Sequence, residues 1–347
     1  MHIAILAPIA TRDVLAEPTR RRLGACPQGR AGAPLVSHLI REYLDRGHRV
    51  LALTTDTALP DDAPPFVLEE GRLTFVIVPA RQRIFRPNGR RMGRVADFFR
   101  FERLGLLALL RQYQPEVVHA HWTYEFALAA LAYDPNALVT VHDNARVIFG
   151  YLRNLERLFM LGMARWVFRR GRRFTAVSPY MADSVQPWTK SKVAVVPNPV
   201  QLPERNFRAL PPPTPVVSVV VNGWDPRKNS PAALLAFREF QRQHPEARLW
   251  AMGTAFEPGK EAAAFCREND IPNVDLLGPI PHAEVLARIA RSSLVLHTSL
   301  EESFGMVLAE AMSYGVPVVA GKASGAVPWV VGAGGRLVDV TSVGQIA

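Results

Sequence analysis

Residues Leu294–Ala320 read LVLHTSLEESFGMVLAEAMSYGVPVVA. Leu294–His297 is a short apolar run of strand length, Gly305–Tyr314 is a helical segment, and Val316–Ala320 returns to a β-branched strand. A strand, a loop, a helix and a second strand in this order make one parallel α/β unit. The loop between the first strand and the helix holds Glu301-Glu302-Ser303-Phe304-Gly305, and Glu310 lies inside the helix.

The same alternation extends in both directions. Upstream of this segment the sequence predicts strand Val216–Val221, a helix near Pro231–Gln243 and strand Arg248–Met252. A helix near Lys260–Asn269, strand Val274–Leu277 and helix His282–Ala290 follow. In the first half, strand His2–Ala7 precedes an arginine-rich loop. A helix over Leu35–Arg46 ends at Gly47, and strand Val50–Thr54 follows. Then come strand Leu73–Val78, a helix near Val95–Tyr113, strand Glu116–Ala120, a helix near Tyr124–Ala132 and strand Leu138–His142. A helix near Tyr151–Arg169 leads to strands Phe174–Val177 and Val193–Val196. Pro199, Pro203, Pro211, Pro212, Pro213 and Pro215 crowd the junction. Proline lacks the amide donor, so this stretch is neither a central strand nor a helix interior. The expected organisation is two tandem α/β parallel-sheet domains: 1–200, a linker at 201–215, and 216–347. Thr341-Ser342 reads as a helix N-cap about one turn before Ala347, and the closing helix expected there is missing from the sequence.

Composition narrows the class. Of 347 residues, 48% are hydrophobic and 21% charged, as in ordinary globular domains. Cys26 and Cys266 are too few for a disulfide framework or a cysteine zinc site, so a reducing compartment is the default. No apolar run approaches the ~20 residues of a membrane span, and the start lacks a signal-peptide pattern. The expected location is cytoplasmic. The net charge of +10 is uneven: residues 1–200 carry 28 Lys+Arg against 17 Asp+Glu, and residues 201–347 carry 13 against 14. A basic first domain points to an anionic partner. Arg81, Arg83, Arg86, Arg90, Arg91 and Arg94 are interleaved with Ile84, Phe85, Met92 and Val95 and followed by Phe98 and Phe99. That is the composition of a surface that docks on anionic lipid at the inner face of a membrane. No nucleic-acid-binding motif accompanies the arginines, so nucleic acid is not an expected partner.

The chemistry concentrates at the quoted segment. In open parallel sheets, ligands sit beyond the carboxyl ends of the strands. A helix N-terminus there offers free N–H groups and partial positive charge, which suits a diphosphate. Glu302 and Glu310 are eight positions apart, ~12 Å along a helix. That exceeds the ~5–9.5 Å of a glycosidase carboxylate pair and suits a grip on the two ends of a nucleotide sugar. Arg227 and Lys228 follow the first strand of the second domain, where a cation meets phosphate. His119 and His121 share one face of a strand end, and His142 ends the next strand. Imidazole also suits zinc, but no further ligand accompanies these three.

On Glu302-Ser303-Phe304-Gly305, Glu310-Ala311, Gly315 and Pro317-Val318 the sequence resembles the retaining glycosyltransferases with two Rossmann-like domains (GT-B), glycosyltransferase family 4 or group 1. Their signature is E-x-F-G-x-x-x-x-E-A-x-x-x-G-x-P-V. The resemblance implies an interdomain cleft and transfer of a sugar from a nucleoside diphosphate donor to a lipid-linked or saccharide acceptor. Within it, Glu302 orients the donor sugar and Glu310 the ribose, while Ser303, Phe304 and Gly305 lie against the diphosphate. Lys228 takes the phosphate-clamping role. The family's clamp arginine has no direct counterpart, since Asn222 or Trp224 stands there, and Arg227 is the substitute beside Gly223. Gly32 matches the glycine-rich loop of the first domain. His121 reaches the sugar, with His119 and His142 in support. Ser178 and Asn198 fall on structural elements of the pattern. The resemblance implies no metal and no cofactor beyond the donor, no enzymic nucleophile, and a leaving phosphate that helps deprotonate the acceptor. Other readings are a nucleotide-sugar-binding partner subunit, or a different enzyme such as an epimerase on the same scaffold. The pyridoxal-type lysine motif of a phosphorylase is not found.

Overall fold

The computed structural model describes residues 1–24, 26–31, 34–203 and 212–347. The chain divides into two compact units, Met1–Pro199 and Val200–Ala347. Most of the proline-rich junction, 204–211, lies outside the described residues, as does Gly32.

The first unit is built on an eight-stranded sheet. Its strands are β1 (His2–Leu6), β2 (Arg49–Asp56), β3 (Phe66–Glu70), β4 (Leu73–Pro79), β5 (Val117–His121), β6 (Leu138–Val141), β7 (Arg173–Ala176) and β8 (Val193–Val195). The spatial order is β3-β4-β2-β1-β5-β6-β7-β8. All pairings are parallel except β3 with β4. Strand β1 is wholly buried, which explains why its sequence is a continuous apolar run and does not alternate. Val36 and Ile40 of helix Pro34–Asp45 pack on Ile3, Ile5, Val50 and Phe75.

The second unit carries β9 (Val216–Val220), β10 (Arg248–Met252), β11 (Val274–Gly278), β12 (Leu294–His297), β13 (Val318–Gly321) and β14 (Gly335–Val338). Its order, β11-β10-β9-β12-β13-β14, is parallel throughout. This is the 3-2-1-4-5-6 winding of a Rossmann sheet, which reverses between β9 and β12. In the first unit the reversal falls between β1 and β5. The strands that carry the predicted chemistry, β12 and β5, therefore flank the switch points where such sheets bind ligands.

Several sequence expectations need correction. The arginine-rich loop after β1 contains two short helices, Thr11–Val14 and Glu17–Leu23. The edge strand β3 was not expected. It joins β4 through the two residues Gly71-Arg72, with Gly71 at φ +60°, the left-handed geometry that tight hairpins require. The single helix near Tyr151–Arg169 is two, Ala145–Tyr151 and Leu155–Arg170, each started by an asparagine side chain, Asn144 and Asn154. Helix Val327–Val331 and β14 extend the second unit beyond the expected elements. Ser342 occupies the N-cap position of a short helix, Val343–Ile346, but its side chain makes no capping bond.

The arginine surface also changes. Arg81 is fully buried, held by Asp97 at 2.8 Å and Glu102 at 2.7 Å and donating to the Met92 carbonyl. Arg94 donates to the Arg81 carbonyl. Val95 and Phe99 are buried, so of the interleaved apolar residues Phe85 and Met92 are the exposed ones. Phe98 packs on Phe159 and Trp166. The helix expected from Val95 starts at Arg100, because Phe98 and Phe99 adopt φ +55° and +57°.

Candidate active site

In the second unit, three loops meet beyond the carboxyl ends of β9, β10 and β12. Gly253, just after β10, has φ +111°, and a Cβ there would fall 2.0 Å from the Val221 carbonyl oxygen. Only glycine permits that approach. Thr254 then donates its backbone N–H to the Asn222 side chain at 3.1 Å, and the Gly223 N–H donates back to the Thr254 carbonyl. Asn222 and Gly223 thus fix the course of the loop after β9. Gly223 itself turns at φ +98°.

The same loop is stitched to the one after β12. Asn229, at φ +52°, donates to the carbonyls of Thr298 (3.2 Å) and Val340 (2.8 Å). The Thr298 hydroxyl donates to the Asn229 carbonyl, and the Leu300 N–H to that of Arg227. These bonds set Lys228 against Glu302, with Nζ 2.6 Å from Oε1. Arg227 lies 3.3 Å from Glu301 and within 4.0 Å of Asp225. It is therefore already engaged by carboxylates.

Glu302 closes the site from the β12 side. Its carbonyl accepts from the Ala326 N–H, which ties the strand-end loop to the loop after β13. Burial opposes the charged form of this carboxylate, but Lys228 and then His297 outweigh it and hold the group well below the usual carboxylate range. The neighbouring Glu301 behaves oppositely: burial pushes it up, and Arg227 only partly offsets this. Two adjacent glutamates thus differ in acidity because one meets a close ammonium.

Gly305, at φ +92°, is the N-cap of helix Met306–Ser313. Having no side chain, Gly305 makes no side-chain cap bond of its own, and half-buried Ser303 and buried Phe304 lead into the helix from Glu302. Phe304 meets Trp329 edge-to-face at 6.1 Å. Glu310, one face further along the helix, is bound by His282 Nε2 at 2.8 Å. His297, Glu301, Asn229 and His282 were not singled out from sequence. His297 was readable as the last residue of a predicted strand, and Glu301 as the neighbour of the signature glutamate.

In the first unit, His119 and His121 end β5, and His142 follows β6. All three are buried. His119 and His121 lie on one strand face as predicted, their ring centroids 4.2 Å apart. His121 Nδ1 is 2.9 Å from His142 Nε2, and Trp122 stacks on His142 at 4.2 Å. His119 Nε2 contacts the Thr140 hydroxyl at 2.7 Å, which in turn contacts Thr175. Burial lowers all three imidazoles, His119 to about 4 and His142 to about 3, and the mutual repulsion of their charged forms lowers His121 and His142 further. They are neutral at pH 7. Ser178 N-caps helix Pro179–Val185 through the Met181 N–H. Among the described residues, no group of three or more His, Cys, Asp or Glu is arranged to hold a metal ion, and no helix is long and apolar enough to cross a membrane.

Two Rossmann-like sheets, with a lysine–glutamate pair and a glycine-started helix at a switch point, define a class of fold and site that the comparisons specify. Residues 33–203 match the family model "Glycosyltransferase Family 4", and residues 203–347 match "Glycosyl transferases group 1". The chain belongs to this glycosyltransferase family and has its GT-B fold. It is 25% identical over 231 residues to a glycogen synthase of Mycobacterium tuberculosis, a match covering 64% of this chain and spanning 56% of the relative's length. Sucrose-phosphate synthase from Thermosynechococcus elongatus has a similar fold, with a TM-score of 0.74 and 18% identity over 99% of this chain and 87% of that one. So does the structure described as trehalose-6-phosphate from E. coli bound with UDP-2-fluoro glucose, with a TM-score of 0.64 and 11% identity over 100% of this chain and 89% of that one.

Proposed function

We propose that this protein is a retaining glycosyltransferase that moves a sugar from a nucleoside diphosphate donor to an acceptor hydroxyl. The observation that carries the reading is the Lys228–Glu302 pair, 2.6 Å apart at the loop that leads into helix Met306–Ser313 through Gly305. The donor diphosphate leaves as an anion. Lys228 and the amides near Phe304–Gly305 stabilise the developing charge, and preorganised groups of this kind supply much of an enzyme's rate enhancement. Glu302, ionised at neutral pH, orients the sugar. Glu310 exchanges His282 for ribose hydroxyls. His121 contributes a hydrogen bond to the sugar. No side chain acts as nucleophile: the acceptor oxygen bonds to the anomeric carbon on the face from which the phosphate oxygen departs, and the acceptor proton passes to that oxygen. No metal or cofactor is needed in this scheme.

The names of the relatives support a saccharide acceptor, and the UDP-sugar in a structural neighbour supports a nucleotide-sugar donor. Thermal shift against a panel of nucleotide sugars identifies the donor, since a ligand at 100 times its Kd stabilises by ~2.7 kcal/mol. Glu302→Ala is expected to abolish transfer while the fold persists. NMR of the product's anomeric centre reads retention directly, and an inverted product refutes the mechanism.

We also propose peripheral binding to anionic membranes, with a lipid-linked acceptor as the alternative to a soluble saccharide. Exposed Phe85 and Met92 lie in the arginine-rich loop, and helix Leu155–Arg170 exposes Leu155 and Leu158. Sedimentation with anionic vesicles at low salt and release at high salt is the expected behaviour, and failure to sediment removes the idea. The second reading, a nucleotide-sugar-binding partner subunit, draws on Arg227, which lies against Glu301 and Asp225 and does not directly replace the clamp arginine of the family pattern. Donor binding without turnover by the wild type would establish it.

A further inference from the structure

The imidazole cluster of the first unit contains more order than a single sugar contact requires. His119, His121, His142 and Trp122 form one run of rings: the histidine centroids are 4.2 and 5.1 Å apart, and the indole lies 4.2 Å from His142 with planes within 27°. Trp122 sits at φ +65°, a strained conformation for a bulky residue that persists only where its surroundings impose it. Its backbone N–H is held by the Thr140 carbonyl at 3.0 Å. The strained residue thus clamps the His142 ring against His121. His121 is 2% exposed, and its Nε2 is buried with no hydrogen-bond partner among the described residues. A buried ring nitrogen left unpaired calls for a functional explanation.

Neutral imidazole carries one ring proton, so a nitrogen–nitrogen contact of 2.9 Å holds one proton between the rings. Whichever ring donates it decides the state of the other ring's far nitrogen. We propose that His142 is a positioning residue that donates this proton from Nε2 to His121 Nδ1, so that His121 keeps its own proton on Nε2 and presents it as a donor to a sugar hydroxyl oxygen. The proposal rests on the glycosyltransferase reading for the identity of the acceptor oxygen, and on the ring geometry alone for the tautomer. In the opposite arrangement His121 Nε2 would carry a lone pair and could only accept. Trp122, bonded through its N–H to the Thr140 carbonyl, stacks on His142, and the Thr140–Thr175 hydroxyl pair holds His119.

The experiment is 15N-detected NMR of the full chain with labelled histidine, in wild type, His142→Leu and His142→Gln, with circular dichroism as the check on folding. Gln places an amide N–H near the position of Nε2, whereas Leu has no donor. The expected wild-type spectrum shows His121 as the Nε2–H tautomer at pH 7. That tautomer persists in His142→Gln and is lost or mixed in His142→Leu. In assays with the donor found by thermal shift, kcat falls about 10- to 100-fold in the Leu variant at little change in donor KM, and Gln recovers most of it. A wild-type Nδ1–H tautomer for His121, or equal losses in Leu and Gln, overturns the proposal. The wild-type spectrum decides the tautomer even if both variants fail to fold. A chain that shows the expected tautomer but binds no nucleotide sugar overturns the functional reading, and with it the sugar as the recipient of the hydrogen bond.

Discussion

Replacing Lys228 with methionine removes the cation 2.6 Å from Glu302 while keeping the side chain's length. Stripping one partner from a buried ion pair costs about 3–5 kcal/mol, because the remaining charge stays desolvated. Here the two side chains retain 15% and 14% exposure, so water relieves part of that cost and about 2–3 kcal/mol is expected. In a domain of this size that lowers Tm by ~4–12 °C. The double variant Lys228→Met/Glu302→Gln leaves no orphan charge and should lie within about 1 kcal/mol of wild type, a coupling of ~2 kcal/mol in a double-mutant cycle. The pH dependence follows from the sign of the shift. The Glu302 carboxyl is held below its ordinary value of 4.5, so its contribution is present above that pH and is lost as pH falls toward the depressed value. The advantage of wild type over Lys228→Met is therefore largest at pH 7 and shrinks as falling pH protonates the variant's unpaired Glu302. Urea unfolding of the four proteins across pH 3.5–7.5 measures it. Additive effects, or a wild-type advantage unchanged by pH, would show that the two groups are not coupled. On activity, the same substitution should lower kcat by about 10²–10³, the loss expected for removing one stabiliser of a developing anion.

Three further outcomes can be measured. Gly253→Ala forces a Cβ to 2.0 Å from the Val221 carbonyl at φ +111°, and thermal unfolding should report at least ~2 kcal/mol of destabilisation. Arg81→Met leaves Asp97 and Glu102 facing each other around a buried apolar side chain, and should cost about 3–5 kcal/mol; a variant as stable as wild type would mean the network is dispensable. Glu310→Gln should raise the donor KM about tenfold, ~1.4 kcal/mol, with kcat within twofold, because it removes ribose binding and leaves the reacting centre intact. A kcat loss as large as that of Glu302→Ala would place Glu310 in the chemistry.

Much of the fold could be read from pattern alone because buried parallel strands leave continuous apolar runs. β1 and β12 are examples. Elements without that signature were missed: β3 is an exposed edge strand carrying Glu69 and Glu70, and in helix Glu17–Leu23 four of seven residues are arginine or proline, with Thr19 its one buried residue. The arginine surface was misread at Arg81 because composition cannot reveal burial. Nothing in the sequence indicates that Asp97 and Glu102 converge on it.

The sequence by itself determined the alternation of strands and helices, the position of the signature glutamates on a strand–loop–helix element, and the shared face of His119 and His121. These follow from local periodicity, in which one residue's neighbours dictate its role. Only the tertiary structure decided which charges meet. Lys228 finds Glu302 across 74 residues, Glu310 is held by His282, Arg227 is engaged by Glu301, and His121 contacts His142. Such pairings depend on which strands lie side by side at a switch point, and on glycine and asparagine turns that set loop direction by fractions of an ångström. Residue spacing along the chain carries no record of those distances.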